Sequence, residues 1–324
     1  MKVKVVGPYS GQIGGVASYM SRLVGNEKID EIYDPYTGVV YELQATGKYK
    51  VKKTINRVFR YLYIARFCRY EFSEVVFLNF STIKTLILEF ILGKASNRRY
   101  IFHNGNPTEV NMLLLYKFLF YIKSIRILSL TENHVSEFHR KFGVITCKDI
   151  VYIAPNVTFS LPVKKSDILI AGYAKKLYNI DTFLESVLAQ YDLFRDISIS
   201  VVLYGEPEIT VHEKIISIAN KLSNVTVYSE MKEDKFLFLL AEHKVYFRPT
   251  TMDSYGFTIQ DAMSLNCLSY CSSVISRPFG SKVFNLPIDK EVMGYLASMV
   301  NNYGINTKEL ESTKPDGFSI GNYI

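Results

Sequence analysis

Two carboxylates bracket a glycine turn in the stretch RPTTMDSYGFTIQDAMSLN, residues 248–266: Asp253 and Asp261 stand eight residues apart around Ser-Tyr-Gly-Phe-Thr. The run KVYFRPT before them (244–250) reads as a strand closed by proline, and AMSL after them reads as helix. Gly256 permits a sharp turn between the two. The first N–H groups of a helix have no partner within it, and a helix start of this kind suits a diphosphate. Asp253 falls in the loop before the helix and Asp261 about a turn and a half inside it. Carboxylates are good acceptors for pairs of sugar hydroxyls. Asp253 can then reach a group carried beyond the phosphates, and Asp261 hydroxyls on their other side. A ligand made of a sugar, a diphosphate and a ribose fits that geometry. A plainer reading stands beside it, with Asp253 a turn former and Asp261 a solvated helix residue.

A second glycine loop, GPYSGQIGGV, lies between the strand-like KVKVV (2–6) and ASYMSRLV, which has helical spacing. It is not GxGxxG, and no acidic residue stands at a convincing second-strand position for a ribose, so a dinucleotide fingerprint is not met. Gly11, Gly14 and Gly15 still let the backbone approach a ligand at a helix start. The alternative is a tight strand-to-helix turn. There is no DxD, and His and acidic residues do not cluster at ligand spacing, so neither metal nor cofactor is expected. Cys68, Cys147, Cys267 and Cys271 form no disulfide framework or zinc pattern and are expected to be reduced core residues of a cytosolic protein.

What positions these residues is an alternation of strands and helices. Strand-like runs occur at 2–6, 75–80, 99–104, 125–131, 167–174, 199–205, 225–230 and 244–250, with helical segments such as IDTFLESVLAQY (180–191) between most of them. Such alternation predicts α/β structure with parallel sheets in doubly wound domains, whose ligands lie at the carboxyl ends of the strands. The 324 residues exceed what one core serves. PNVTFSLPVKKSD (155–167) reads as the linker. The expected division is an N-terminal domain over 1–158, a C-terminal domain over 159–300, and a tail over 301–324 that packs back on the first domain.

Residues 1–155 carry 22 Lys+Arg against 12 Asp+Glu, and the remainder 16 against 19, so the net +7 is a sum of +10 and −3. A basic first half points to an anionic partner. In KTINRVFRYLYIARFCRYEF, Phe59, Tyr63, Phe67 and Tyr70 fall on one face of a helix expected over 53–72, with Lys53, Arg57 and Arg60 on a neighbouring face. Two readings remain open: a core-packed helix with a solvated basic side, or docking on anionic lipid. No apolar run reaches the length of a membrane span, and MLLLYKFLFYI (112–122) is broken by Lys117. The opening MKVKVVGPYSG has too short an apolar run for a signal peptide. No nucleic-acid motif accompanies the basic residues, and no nucleic-acid partner is expected.

The acid-x7-acid arrangement resembles the motif of the retaining, group 1 (family 4-like) glycosyltransferases of GT-B fold. RPT and the RPFG at 277–280 resemble a bacterial surface-polysaccharide branch of that family. GGVASYM, LSLTENHVSEFHRKFG, IAPNV and NVTVYSEMKEDKFLFLLAEHKVYFRPT resemble its other blocks in the same order, across most of residues 1–290. The resemblance implies two doubly wound Rossmann-like domains facing a central cleft. It implies a metal-independent, retaining transfer of a sugar from a nucleotide-sugar donor to a carbohydrate or lipid-linked saccharide acceptor. The first domain would bind the acceptor and the second the donor. By this resemblance Asp253 sits on the donor sugar hydroxyls and Asp261 on the ribose. The backbone of Tyr255, Gly256, Phe257 and Thr258 takes the diphosphate, and Gly14 and Gly15 face it from the other domain. His103 in FHNGN lies near the reacting centre, its other reading being a loop histidine bonded to backbone. Gly205 and Glu206, after Tyr204, line the base pocket.

The sequence departs from the family at two places. Both motif acids are Asp where the family usually has Glu. In GYAKKLYNID (172–181), Tyr173 and Tyr178 stand where similar enzymes carry an Arg and a Lys that grip the diphosphate, leaving Lys175 and Lys176 to take over that charge. The alternative that follows is a non-catalytic GT-B-like subunit that binds nucleotide or a partner glycosyltransferase. The protein is expected to be cytoplasmic, with an anionic membrane surface on the inner face of the plasma membrane as a peripheral partner.

Overall fold

The computed structural model describes residues 2–9, 15–26, 29–46, 48–67, 73–78, 98–102, 126–129, 147–149, 153–155, 157–253, 256–275, 277–278 and 280–304. The chain divides into two compact units, Met1–Ile153 and Ala154–Ile324.

In the first unit the described elements are β1 (Lys2–Val6), α1 (Gly15–Asn26), β2 (Glu31–Asp34), β3 (Val39–Leu43), β4 (Tyr49–Thr54), a 3-10 turn (Arg57–Phe59), α2 (Arg60–Phe67), β5 (Ser73–Leu78), β6 (Arg98–Phe102), β7 (Arg126–Ser129) and β8 (Cys147–Asp149). They form one sheet in the order β4-β3-β2-β1-β5-β6-β7-β8. The pairs from β2 to β8 are parallel, whereas β3 and β4 are added antiparallel at the β2 edge. Val5, Met20, Ile32 and Tyr33 are fully enclosed. Lys4 is buried with them and is compensated by Glu31 at 3.3 Å, which also takes Lys52 at 2.5 Å.

The continuous helix expected over 53–72 is corrected. Lys53 belongs to β4, and its ammonium lies 4.5 Å from the centre of the Tyr63 ring. Asn56 ends the strand: its side chain accepts from the Val58 amide and starts the 3-10 turn, and α2 begins only at Arg60. The aromatic stripe also divides. Tyr63 and Phe67 pack on Tyr33, at 5.1 and 5.7 Å between ring centres. Phe59 is 57% exposed, beside Val58 at 78% and Leu62 at 61%. Arg60 is held by the Tyr36 carbonyl. Tyr70 and the 112–122 stretch lie outside the described residues, among which no helix is long and apolar enough to cross a membrane.

The second unit runs β9 (Ser166–Gly172), α3 (Ile180–Ala189), α4 (Tyr191–Phe194), β10 (Ile199–Leu203), α5 (Ile209–Ala219), β11 (Val225–Ser229), α6 (Glu233–Glu242), β12 (His243–Arg248), α7 (Phe257–Ser264), β13 (Leu268–Ser272), β14 (Lys282–Phe284) and α8 (Lys290–Asn301). Its sheet is parallel throughout, in the order β11-β10-β9-β12-β13-β14. The central strands read as continuous apolar runs because both faces are covered. Successive residues of β9 feed opposite cores. Ile168 and Ile170 join Phe183, Val201, Phe247 and Met293, whereas Leu169 and Ala171 join Leu240, Tyr246, Ile259 and Cys267. Cys267 and Cys271 are free and buried, and burial pushes both thiols up to about 12. Past α8, Tyr303 donates its phenol O–H to the Asn266 carbonyl of the same unit. The tail beyond residue 304 lies outside the described residues.

Candidate active site

The order of the second sheet reverses direction between β9 and β12, since β10 and β11 build outward on one side and β13 and β14 on the other. Ligands of open parallel sheets bind outside the carboxyl ends of the strands at such a switch point. The loops there carry most of the candidate residues of this unit. After β9 come Tyr173, Lys175, Lys176 and Tyr178, after β10 Tyr204, Gly205 and Glu206, and after β12 Pro249 to Asp253 and Gly256. Two loops are tied directly. The Thr251 amide donates to the Leu177 carbonyl at 2.8 Å, and the Asn179 side chain donates to the Pro249 carbonyl at 2.8 Å.

Gly256 caps α7 with φ +77°, a conformation that L side chains rarely adopt. A Cβ there would meet Ile259 at 2.8 Å and an Arg277 guanidinium nitrogen at 3.4 Å. Gly256 itself brings no side chain over the start of α7, which has no side-chain cap and no acidic residue in its first turn. Asp261 sits in the second turn of α7 and is only 4% exposed, so it is not a solvated helix residue.

Asp253 is held from two sides. Its Oδ1 accepts from Arg248 Nη2 at 2.7 Å, and its Oδ2 accepts from Arg248 Nε at 2.5 Å and Arg277 Nη1 at 2.6 Å. The side chains of Arg248, Arg277 and Asp253 are 9%, 1% and 5% exposed. Burial pushes the Asp253 carboxyl up, but Arg248 and Arg277 outweigh it and hold the group below the usual carboxylate value. Arg248 also donates to the Tyr246 phenol at 3.1 Å and faces the Tyr178 ring at 5.9 Å. Arg277 donates to the Ser272 carbonyl at 2.8 Å and to the Ser272 and Thr250 hydroxyls. Reading the sequence missed both arginines as site residues, and RPT and RPFG were noted for their family resemblance alone.

The tyrosines at 173 and 178 pack together at 5.6 Å, and Tyr173 meets Tyr204 edge-on at 4.8 Å. Tyr173 also covers Gly205, whose φ is +69°; a Cβ there would fall 1.9 Å from the ring. Lys175 stacks over Tyr173 at 5.4 Å, whereas Lys176 is exposed at the start of a short 3-10 turn. Glu206 is exposed beyond Gly205. In the first unit Gly15 opens α1. An acid does stand at the end of β2, contrary to the sequence reading. Asp34 is buried there and accepts from the backbone amides of Tyr9, Tyr36 and Thr37, so its carboxylate is committed to the turn and to the loop after β1. Gly14, His103 and Tyr255 lie outside the described residues.

Solved structures resemble this arrangement along most of the chain. Trehalose-6-phosphate synthase OtsA matches with a TM-score of 0.69 at 9% identity, over 96% of this chain and 95% of that one. The fold is GT-B. The GT-B match to TarM has a TM-score of 0.61 at 12% identity and covers 85% of this chain. This chain spans 59% of the length of TarM. The pneumococcal O-GlcNAc transferase GtfA, solved in complex with UDP and GlcNAc, matches with a TM-score of 0.57 at 12% identity over 87% of this chain and 63% of that one. No protein-family profile and no curated protein matches the sequence.

Proposed function

We propose that this GT-B chain is a glycosyltransferase, moving a sugar from a nucleotide-sugar donor to a carbohydrate or lipid-linked saccharide acceptor, with retention of configuration and without a metal. One observation carries the reading. At the switch point of a parallel sheet, a helix with no side-chain cap starts from a left-handed glycine, with Asp261 buried one turn further on. That is a place for a diphosphate flanked by hydroxyl-bearing groups. The resemblance of the acid-x7-acid stretch supports it, as does the structural likeness to enzymes such as the O-GlcNAc transferase holding UDP and GlcNAc. In the reaction the acceptor oxygen bonds to the anomeric carbon while the bond from that carbon to the phosphate oxygen breaks. The acceptor proton passes to the departing phosphate on the same face. Charge grows on the diphosphate in that step, and the α7 amides are aimed at it.

The Tyr173 and Tyr178 pair favours a second reading, a subunit that binds nucleotide without transfer. A panel of nucleotide-sugars, scored for thermal stabilisation and for release of the nucleoside diphosphate, tests both. The expected result is a rise in Tm with one donor, about 2.7 kcal/mol of stabilisation at a hundredfold excess over Kd, together with turnover. Stabilisation without turnover in the presence of acceptor extracts supports the subunit. Stabilisation by none removes the donor-binding reading.

We also propose peripheral contact with an anionic membrane, through a surface different from the expected helix face. Val51, Val58, Phe59 and Leu62 are exposed, as are Lys50, Lys53, Arg57 and Arg66 in the same stretch of chain. From Gln44 to Phe67 the sequence has no acidic residue. Attraction to anionic lipid is worth about 1 kcal/mol per basic residue near the surface and is screened by salt. The protein is expected to sediment with phosphatidylserine vesicles at low salt and to leave them at high salt. Changing Lys50, Arg57 and Arg66 to Glu should weaken binding by roughly a hundredfold. Equal sedimentation with neutral and anionic vesicles would discard this surface.

A further inference from the structure

We propose that Arg248 and Arg277 are the cations of the diphosphate site and that Asp253 is a positioning residue that holds them, not a ligand of the sugar. The inference rests on the glycosyltransferase reading and names the groups that serve it. The basic pair of similar enzymes is absent here, because positions 173 and 178 are tyrosines whose rings pack on each other. Two guanidinium groups lie close by instead: Arg248 faces the Tyr178 ring at 5.9 Å, and Arg277 shares Asp253 with Arg248. Among the described residues they face one carboxylate, an excess of one positive charge, with every one of the three side chains at least nine-tenths buried. A buried charge without its counter-charge is costly, and an anion brought close to it relieves that cost.

The geometry says where that anion sits. An Arg277 guanidinium nitrogen lies 3.4 Å from where a Cβ of Gly256, the residue that caps α7, would be. The Arg277 side chain is 1% exposed, so its charge acts across the bare backbone of Gly256 and not by contact. Arg248 is clamped between Asp253, the Tyr246 phenol and the Tyr178 ring, which fixes its plane at the mouth of the loop joined to residues 177–179. Both oxygens of Asp253 are engaged by these arginines, and its side chain has 5% of its surface left for any other partner. Among the described residues, the charged groups facing this cluster from β12, the loop after it and the loop after β13 are Arg248, Asp253 and Arg277, with the neutral phenols of Tyr178, Tyr204 and Tyr246 around Arg248.

Titration calorimetry of the full chain with inorganic pyrophosphate and a set of nucleoside diphosphates tests this through the charge of the cluster. Arg277→Gln removes the excess charge and should weaken binding about tenfold or more. Asp253→Asn raises the excess while its amide oxygen still accepts from the arginines it holds, and should bind no more weakly than wild type. The double variant restores the wild-type excess and should recover to within about threefold of it. A cluster with a merely structural role gives another order, with the double variant at least as impaired as either single one. That order, or an Arg277→Gln protein that binds as wild type does, overturns the proposal. Should Arg277→Gln fail to fold, Arg277→Lys keeps the charge without the fork. Folded Arg277→Lys should bind within about threefold of wild type, and a loss beyond tenfold overturns the proposal. A wild-type chain that binds no diphosphate rejects the glycosyltransferase reading itself, whereas wild-type binding with the wrong order of variants rejects this inference alone.

Discussion

Replacing Asp253 by alanine should lower the stability of the C-terminal unit by about 3–5 kcal/mol, the cost of leaving buried charges without their partner. The carboxylate is the shared acceptor of two guanidinium groups, with bonds of 2.5–2.7 Å, and all three side chains are nearly enclosed. Alanine leaves Arg248 and Arg277 close together in a buried setting with nothing between them. It also frees the loop after β12, which Asp253 joins to β12 through Arg248 and to the loop after β13 through Arg277. Exposed pairs make the control. Glu185 meets Lys214 at 3.0 Å with both side chains about half exposed, and Glu185→Ala should cost at most about 1 kcal/mol. Native-state hydrogen exchange of β12 and β13 amides reads the C-terminal unit separately from the first. A loss under about 1 kcal/mol on removing Asp253 would mean that the clamp carries no stability. The sign with pH follows from the lowered carboxyl: the stabilisation is complete above the ordinary Asp value and is lost as pH falls through the depressed one.

A second large effect comes from His243, at the opposite end of β12. Its ring is fully enclosed, with Nδ1 2.6 Å from the Leu239 carbonyl and Nε2 2.8 Å from the Ser200 hydroxyl. A carbonyl can only accept, so Nδ1 carries the hydrogen and Nε2 of the neutral ring accepts from Ser200. Burial disfavours the imidazolium and brings the group down from 6.5 to about 4, against a smaller opposing pull from the Leu239 carbonyl. The unfolded chain therefore binds the proton first. Stability is fully present above pH 6.5 and falls as pH drops toward 4, by about 3 kcal/mol over that window. The depressed carboxylates, Asp167 and Asp253 among them, act at lower pH than this. Comparing hydrogen exchange of the wild type with His243→Gln at pH 7, 5.5 and 4.5 isolates the slope. If wild type and variant lose stability in parallel, the buried histidine is not its source.

Four strands of the second unit, β9 to β12, were legible as short runs between turn residues, whereas β13 and β14 were not read. β9 and β10 begin and end within about two residues of the runs read from the sequence, since a strand buried on both faces leaves little room for polar residues. The edge of the first sheet was not legible. YKVKKT forms β4, yet five of its six residues are exposed and three are lysines, so apolar periodicity had nothing to report. The aromatic spacing that follows then drew one helix across a strand, a turn and a shorter helix. Asn56 was the overlooked signal, a cap residue between the lysines and the aromatic run.

At the site, the glycine turn, the helix start and both aspartates were readable in one stretch, because a strand, a loop and a helix start are local and their geometry follows from their own residues. Which partners the aspartates have is not local. Arg248 and Arg277 are 29 positions apart, and only the parallel register that sets Arg248 beside Cys271 delivers the loop after β13 to Asp253. Sequence alone determined that a turn between strand and helix carries two acids. Tertiary structure alone decided that the first is bonded to two buried arginines. The physical reason is that a carboxylate in the interior takes the nearest cations, and strand pairing, not sequence distance, chooses which those are.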